Sequence, residues 1–142
     1  MCGIIAVIRR PSLRATPTRD DLLPLITGTA AELSNAKLAS AEAPLAALAE
    51  KLEAADLLLR GTPGVRLLLS DPSLADVVRD ELSGVNAKLD DLEAELDAQA
   101  TVDSNDLETV NARLIRVRDA AWNIERDRLR AATVVSLSLI HI

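Results

Sequence analysis

The stretch DPSLADVVRDELSGVNAKLDDLEAEL, Asp71 to Leu96, decides the fold. Asp71 followed by Pro72 marks a helix start: the carboxylate can accept a hydrogen bond from a free first-turn N–H, and proline at the first helical position loses nothing. Leu74, Val78, Leu82, Val85, Leu89, Leu92 and Leu96 then recur at intervals of three and four. That spacing lays one continuous apolar stripe along a helix, while Lys88, Asp90, Asp91, Glu93 and Glu95 keep the other faces in water.

A second stripe follows a polar turn spanning Ala100 to Asn105. Leu107, Val110, Leu114, Val117, Ala121 and Ile124 repeat the same spacing. Two long amphipathic helices joined by a short turn form an antiparallel helical hairpin, and neither can hide its stripe alone. An earlier helix from Glu42 to Arg60, with Leu45, Leu48, Leu52, Ala55 and Leu59, supplies a third apolar face. Gly61 ends it and Pro63 reinforces the stop. A short helical turn is expected over Val65 to Leu69. Further upstream, Thr18 caps a helix that carries Asp20 and Asp21 in its first turn, where the helix dipole favours acid. Leu22, Leu23, Ile26, Ala30 and Leu33 share its face, with Pro24 and Gly28 weakening it.

The two ends of the sequence differ from this pattern. Ile4, Ile5, Val7 and Ile8 form a β-branched run that reads as a strand, stopped by Arg9, Arg10 and Pro11. Thr133 to Ile142, with Val134, Val135, Leu137, Leu139, Ile140 and Ile142, also reads as a strand, and as an aberrant or truncated tail. The expected architecture is mainly α, an antiparallel helical hairpin or bundle with one N-terminal β-strand. Its divisions are residues 1–17 as strand and loop, 18–132 as a helical segment, and 133–142 as the tail.

Composition narrows the function. The 142 residues carry a net charge of −6, which gives no field to attract a phosphate backbone, so no nucleic-acid partner is expected. Aromatics amount to 1%, the lone Trp122, so the core is built of aliphatic and small side chains. One cysteine excludes an internal disulfide and a cysteine-based zinc site. The apolar run Gly3 to Ile8 is too short for a secretory signal, and no stretch reaches the ~20 apolar residues of a membrane span. The expectation is a cytoplasmic protein without a membrane partner.

Chemistry concentrates at Met1-Cys2-Gly3-Ile4-Ile5-Ala6-Val7. Removal of Met1 would leave Cys2 with a thiol and a free α-amino group on one residue. The amine, with an unperturbed pKa of about 7.7–8.0, can serve as base for the thiol. Gly3 allows close backbone approach to a substrate. Other candidates read as structural. His141 has no Asp or Ser arranged around it, the acidic run Asp90 to Asp97 is spread around several helix faces, and Trp122 suits packing on an amphipathic helix.

This opening resembles the class II, N-terminal-nucleophile glutamine amidotransferases. Within that class the acidic, Ala/Leu-rich segment that follows, including Trp122 to Leu129, is most similar to a variant of glucosamine–fructose-6-phosphate aminotransferase. In that variant a helical insertion separates the first strand from the rest of the glutaminase fold. The resemblance implies Cys2 as catalytic nucleophile, glutamine and fructose 6-phosphate as substrates, no cofactor, and a homo-oligomer. It also implies that the strand at residues 1–8 is the first of a truncated Ntn-type α/β fold. The class's Arg-Gly-Tyr-Asp-Ser segment has no counterpart, since Arg60-Gly61 leads into Thr62-Pro63, and no Asn-Gly pair occurs. Two alternatives stay open. One is another class II enzyme such as asparagine synthetase. The other is a helical-hairpin interaction or oligomerisation module.

Overall fold

Thr18 opens the first helix, α1 (Arg19–Ile26), with a reciprocal cap. Its Oγ1 accepts from the Asp21 N–H at 3.2 Å, and the Asp21 carboxylate accepts from the Thr18 N–H at 2.8 Å. Two otherwise unpaired first-turn donors are satisfied in this way. The computed structural model describes residues 12–98 and 104–140, and among these the regular structure is helical, with no strand. The expected N-terminal strand, Met1 to Ile8, lies outside the described residues.

The single helix expected around Pro24 and Gly28 is two. α1 ends at Ile26, Gly28 takes a left-handed backbone (φ 79°), and α2 (Thr29–Ser34) restarts the run. A 3-10 turn at Leu38–Ser40 leads into α3 (Glu42–Leu59), as the spacing of its leucines requires. Gly61 has φ 69°, the left-handed conformation that glycine supplies after a helix end. The stop is only a corner, because α4 (Gly61–Ser70) begins there and is twice the length of the expected turn. α5 (Pro72–Ala98) follows, capped by Asp71, whose Oδ1 accepts from the Leu74 N–H at 3.2 Å.

The last helical stretch runs from α6 (Ser104–Trp122) through a π-helical segment, Asn123–Leu129, into α7 (Arg130–Ile140). Ser104 and Asn105, expected in the turn, are already helical. The strand expected over Thr133 to Ile142 is overturned as far as the described chain goes, since residues 133–140 are helix. Propagating a helix already nucleated gains one hydrogen bond per residue fixed, which outweighs the weak β preference of Val134 and Val135. Thr133 and Ser138 bond back to the carbonyls of Leu129 and Val134, at 3.0 and 2.9 Å. Val134, Val135 and Leu137 stay exposed.

Packing forms a four-cornered bundle. The α1–α2 pair, α3, α6 and α5 occupy successive corners, with only marginal contact across the diagonals. α6 runs parallel to α3, since Glu53 meets Arg116 and Asp56 meets Arg128. It runs antiparallel to α5, since Arg118 meets Asp90 and Glu93. The expected α5–α6 hairpin is present, but the wider seam of α6 is with α3. Short side chains explain this: Ala49 and Ala55 on α3, and Ala120 and Ala121 on α6, are all buried. They let the helix axes approach, with Leu52, Leu114, Val117 and Ile124 filling the space between them. Each fully buried leucine contributes about 1.5–3 kcal/mol.

The α3–α4 corner tolerates no side chain at Gly64. A Cβ there would fall 2.0 Å from the backbone oxygen of Leu59. Gly64→Ala is therefore expected to lower stability by about 3 kcal/mol, the upper part of the range for overpacking. Thermal unfolding followed by circular dichroism checks this, and an unchanged midpoint would contradict the close approach.

Candidate functional site

Cys2, the residue that the sequence marks for chemistry, lies outside the described residues, as does His141. The described chain begins ten residues after Cys2, at Ser12, and its first fixed point is Arg14. That guanidinium donates to the carbonyls of Leu57, Leu58 (2.9 Å) and Arg60 (2.5 Å). These carbonyls belong to the C-terminal end of α3, where the Leu57 carbonyl accepts only a long bond from the Arg60 N–H (3.4 Å) and the helix dipole favours a cation. Arg14 thus ties the lead-in segment to the α3–α4 corner.

Close by, α3 and α6 enclose an open groove of about 550 Å³, lined by Glu53, Asp56, Leu57, Arg60, Ile115, Arg116, Asp119 and Asn123. At its inner edge Asp56 is a carboxylate placed among the core leucines, with its side chain 4% exposed. Arg60 donates to one oxygen through Nε (2.8 Å) and Nη2 (2.6 Å). Arg128 donates to the other through Nε at 2.7 Å. Burial alone would push the Asp56 carboxyl up; the hydrogen bonds from Arg128 and Arg60 outweigh it and hold the group below the usual carboxylate range. Arg128 belongs to the π-helical segment, whose wider turn changes the facing of the residues that follow it. Such segments are rare and tend to persist where a particular side chain must be aimed.

On the groove wall Arg116 grips Glu53 with two bonds of 2.6 Å, and this guanidinium is the main reason the Glu53 carboxyl is held low. The groove contains no cysteine, serine or histidine, so it offers fixed charge and no nucleophile. No group of three His, Cys, Asp or Glu among the described residues is placed to hold a metal ion. Nor is any described helix long and apolar enough to cross a membrane.

The acidic run on α5 resolves into clamps and solvated surface. Asp90 and Glu93 bind Arg118 of α6 at 2.8 and 2.9 Å, and Asp91 meets Lys88 at 3.3 Å. Trp122, expected to pack, is 55% exposed, because Ala121 and Ile124 take the inward positions on either side of it. The buried ion triad was legible in one respect: Asp56 interrupts the apolar stripe between Leu52 and Leu59, four residues before Arg60. The spacing of Val117, Ala121 and Ile124, continued by four, falls on Arg128 and so puts it on the inward face, but the spacing does not name Asp56 as its partner.

Arg128→Ala leaves a buried carboxylate with one exposed partner and is expected to destabilise the fold by about 3–5 kcal/mol. The same carboxylate makes stability acid-sensitive. Its folded pKa is depressed, so its contribution is present above the unfolded value and is lost as pH falls through the folded one. Thermal midpoints measured from neutral pH down to strong acid should fall less steeply in Asp56→Asn, while equal slopes would contradict the triad's role. Comparisons with known protein families, with characterised proteins and with solved structures gave no match.

Proposed function

We propose that this chain is the front end of a class II glutamine amidotransferase, in which Cys2 releases ammonia from glutamine for synthesis of glucosamine 6-phosphate from fructose 6-phosphate in the cytoplasm. The bundle from Thr18 onward is a non-catalytic insertion behind the first strand. The opening Met1-Cys2-Gly3-Ile4 supports the chemistry, and the bundle's geometry supports the insertion.

The observation that carries the insertion is where the described chain enters and leaves. Ser12 and Arg14 line one open pocket with Gly61, Thr62 and Pro63 at the start of α4, and Arg14 donates to the carbonyl of Arg60 just before it. Ser136 and Leu137 lie against Leu68 and Leu69 near its end. α4 has ten residues, so entry and exit are separated by about 15 Å at 1.5 Å per residue. A compact module whose first and last described segments both lie along one helix can sit inside another fold.

In the proposed reaction the Cys2 thiolate adds to the side-chain amide carbon of glutamine. Collapse of that adduct breaks the C–N bond, ammonia leaves with a proton relayed from the α-amino group, and water hydrolyses the γ-glutamyl thioester to glutamate. The groove between α3 and α6 supplies none of these groups. A second reading, a helical interaction module, is favoured by the exposed Ile115 and Trp122, and it is compatible with an insertion that joins subunits.

In the full-length enzyme, Cys2→Ser is expected to abolish glutamine-driven formation of glucosamine 6-phosphate while leaving the ammonia-driven reaction intact. Loss of both activities would make Cys2 structural. The 142-residue chain alone should release no ammonia from glutamine above a Cys2→Ala control.

A further inference from the structure

Of the three acids that line the groove between α3 and α6, two are taken. Glu53 is held by Arg116, and Asp56 by Arg60 and Arg128. Asp119 is exposed and takes part in no hydrogen bond or ion pair among the described residues. One turn earlier on the same wall Ile115 is 51% exposed, and Leu57 on the α3 wall is 57% exposed. An unpaired carboxylate beside open aliphatic surface suits an occupant that offers a basic side chain next to an aliphatic one.

The chain itself supplies such a pair beside the groove. Ser12, where the described chain begins, shares an open pocket with Leu57 and Arg60, which also line the groove, and Arg14 fixes this point to the end of α3. Immediately before Ser12 the sequence reads Ile8, Arg9, Arg10, Pro11, outside the described residues. Proline at 11 favours extended backbone at Arg10, and in an extended chain Ile8 and Arg10 share one side, about 7 Å apart. On the groove wall, four helical residues separate Ile115 from Asp119 by about 6 Å. Because α6 runs parallel to α3, Asp119 is the nearer of the two to the end of α3. A chain running back from Ser12 therefore brings Arg10 to Asp119 first and Ile8 to Ile115 next, at matching spacing. We infer that the groove is the seat of residues 8–11 of this chain, with Arg10 paired to Asp119 and Ile8 covering Ile115. A lone exposed ion pair is weak, but Arg14 already holds the chain four residues further on, which makes the encounter intramolecular. The inference does not depend on the role given to Cys2.

The rate at which trypsin cuts the Arg9–Arg10 bond of the complete 142-residue chain tests it, with the free peptide of residues 1–14 as the unseated reference. The chain should be cut about fivefold or more slowly than the peptide. Asp119→Arg leaves the cleaved sequence untouched but places like charges together, and should speed the cut by about fivefold or more. Arg10→Glu, compared with a peptide carrying the same change, should lose the protection as well. Combining the two restores opposite charges and should bring protection back to within about threefold of the parent. Asp119 is on the surface, so circular dichroism should report unchanged helix in every variant. A parent chain cut as fast as the peptide, a rate indifferent to Asp119→Arg, or a double variant no better protected than Arg10→Glu would overturn the seat and leave the groove to another occupant.

Discussion

The buried face of α3 is the surface on which the rest of the molecule assembles. Leu45, Leu48, Ala49, Leu52, Ala55 and Leu59 are all within 1% of complete burial. They meet α1 on one side and α6 on the other, and α4 leaves directly from the helix end. Without a phenylalanine or tyrosine to fill large spaces, close packing has to come from short axis-to-axis distances. Alanines on α3 and α6 provide them. The seam also explains why α6 leans on α3 more than on its sequence neighbour α5: the smallest facing side chains decide which pair of helices comes closest.

Asp56 places a charge in that aliphatic seam, with the π-helical segment packed opposite it. A buried carboxylate left alone would cost several kcal/mol, so two guanidinium groups converge on it. Arg60 comes from the end of the same helix and reaches back from solvent. Arg128 comes from across the seam and arrives through the π-helical segment at Asn123–Leu129.

Much of the helical content was legible because its signals are local. The Thr18 cap, the Asp71-Pro72 start and the leucine spacing of Glu42–Leu59 and Pro72–Ala98 each depend on neighbours a few residues away. Five features were not. The break at Gly28 and the full length of α4 depend on how the segments pack, and Gly64 is tolerated because a backbone oxygen approaches it. Val134 and Val135 suggested a strand, but the helix running in from Ala121 and Ile124 carries through them. Arg128 reaches Asp56 across 72 residues of sequence, a pairing no periodicity can supply. The catalytic reading of Cys2 rests on its place in the chain and on the company of Gly3 and Ile4, a matter of chemistry separate from the bundle.

Near α4 the lead-in is fastened by Arg14 to the end of α3, and the last helix returns to pack against α4. On the proposed reading the bundle is a helical module that contributes no reacting group to the chemistry of Cys2. The reading requires a free α-amino group on Cys2. Intact-mass measurement of the protein purified from its native cells, with sequencing of the N-terminal peptide, tests this most directly. The account predicts a chain that lacks Met1 and begins with unmodified Cys2. A retained Met1, or an acetylated Cys2, would contradict the nucleophile assignment and leave the helical interaction module as the function of this chain.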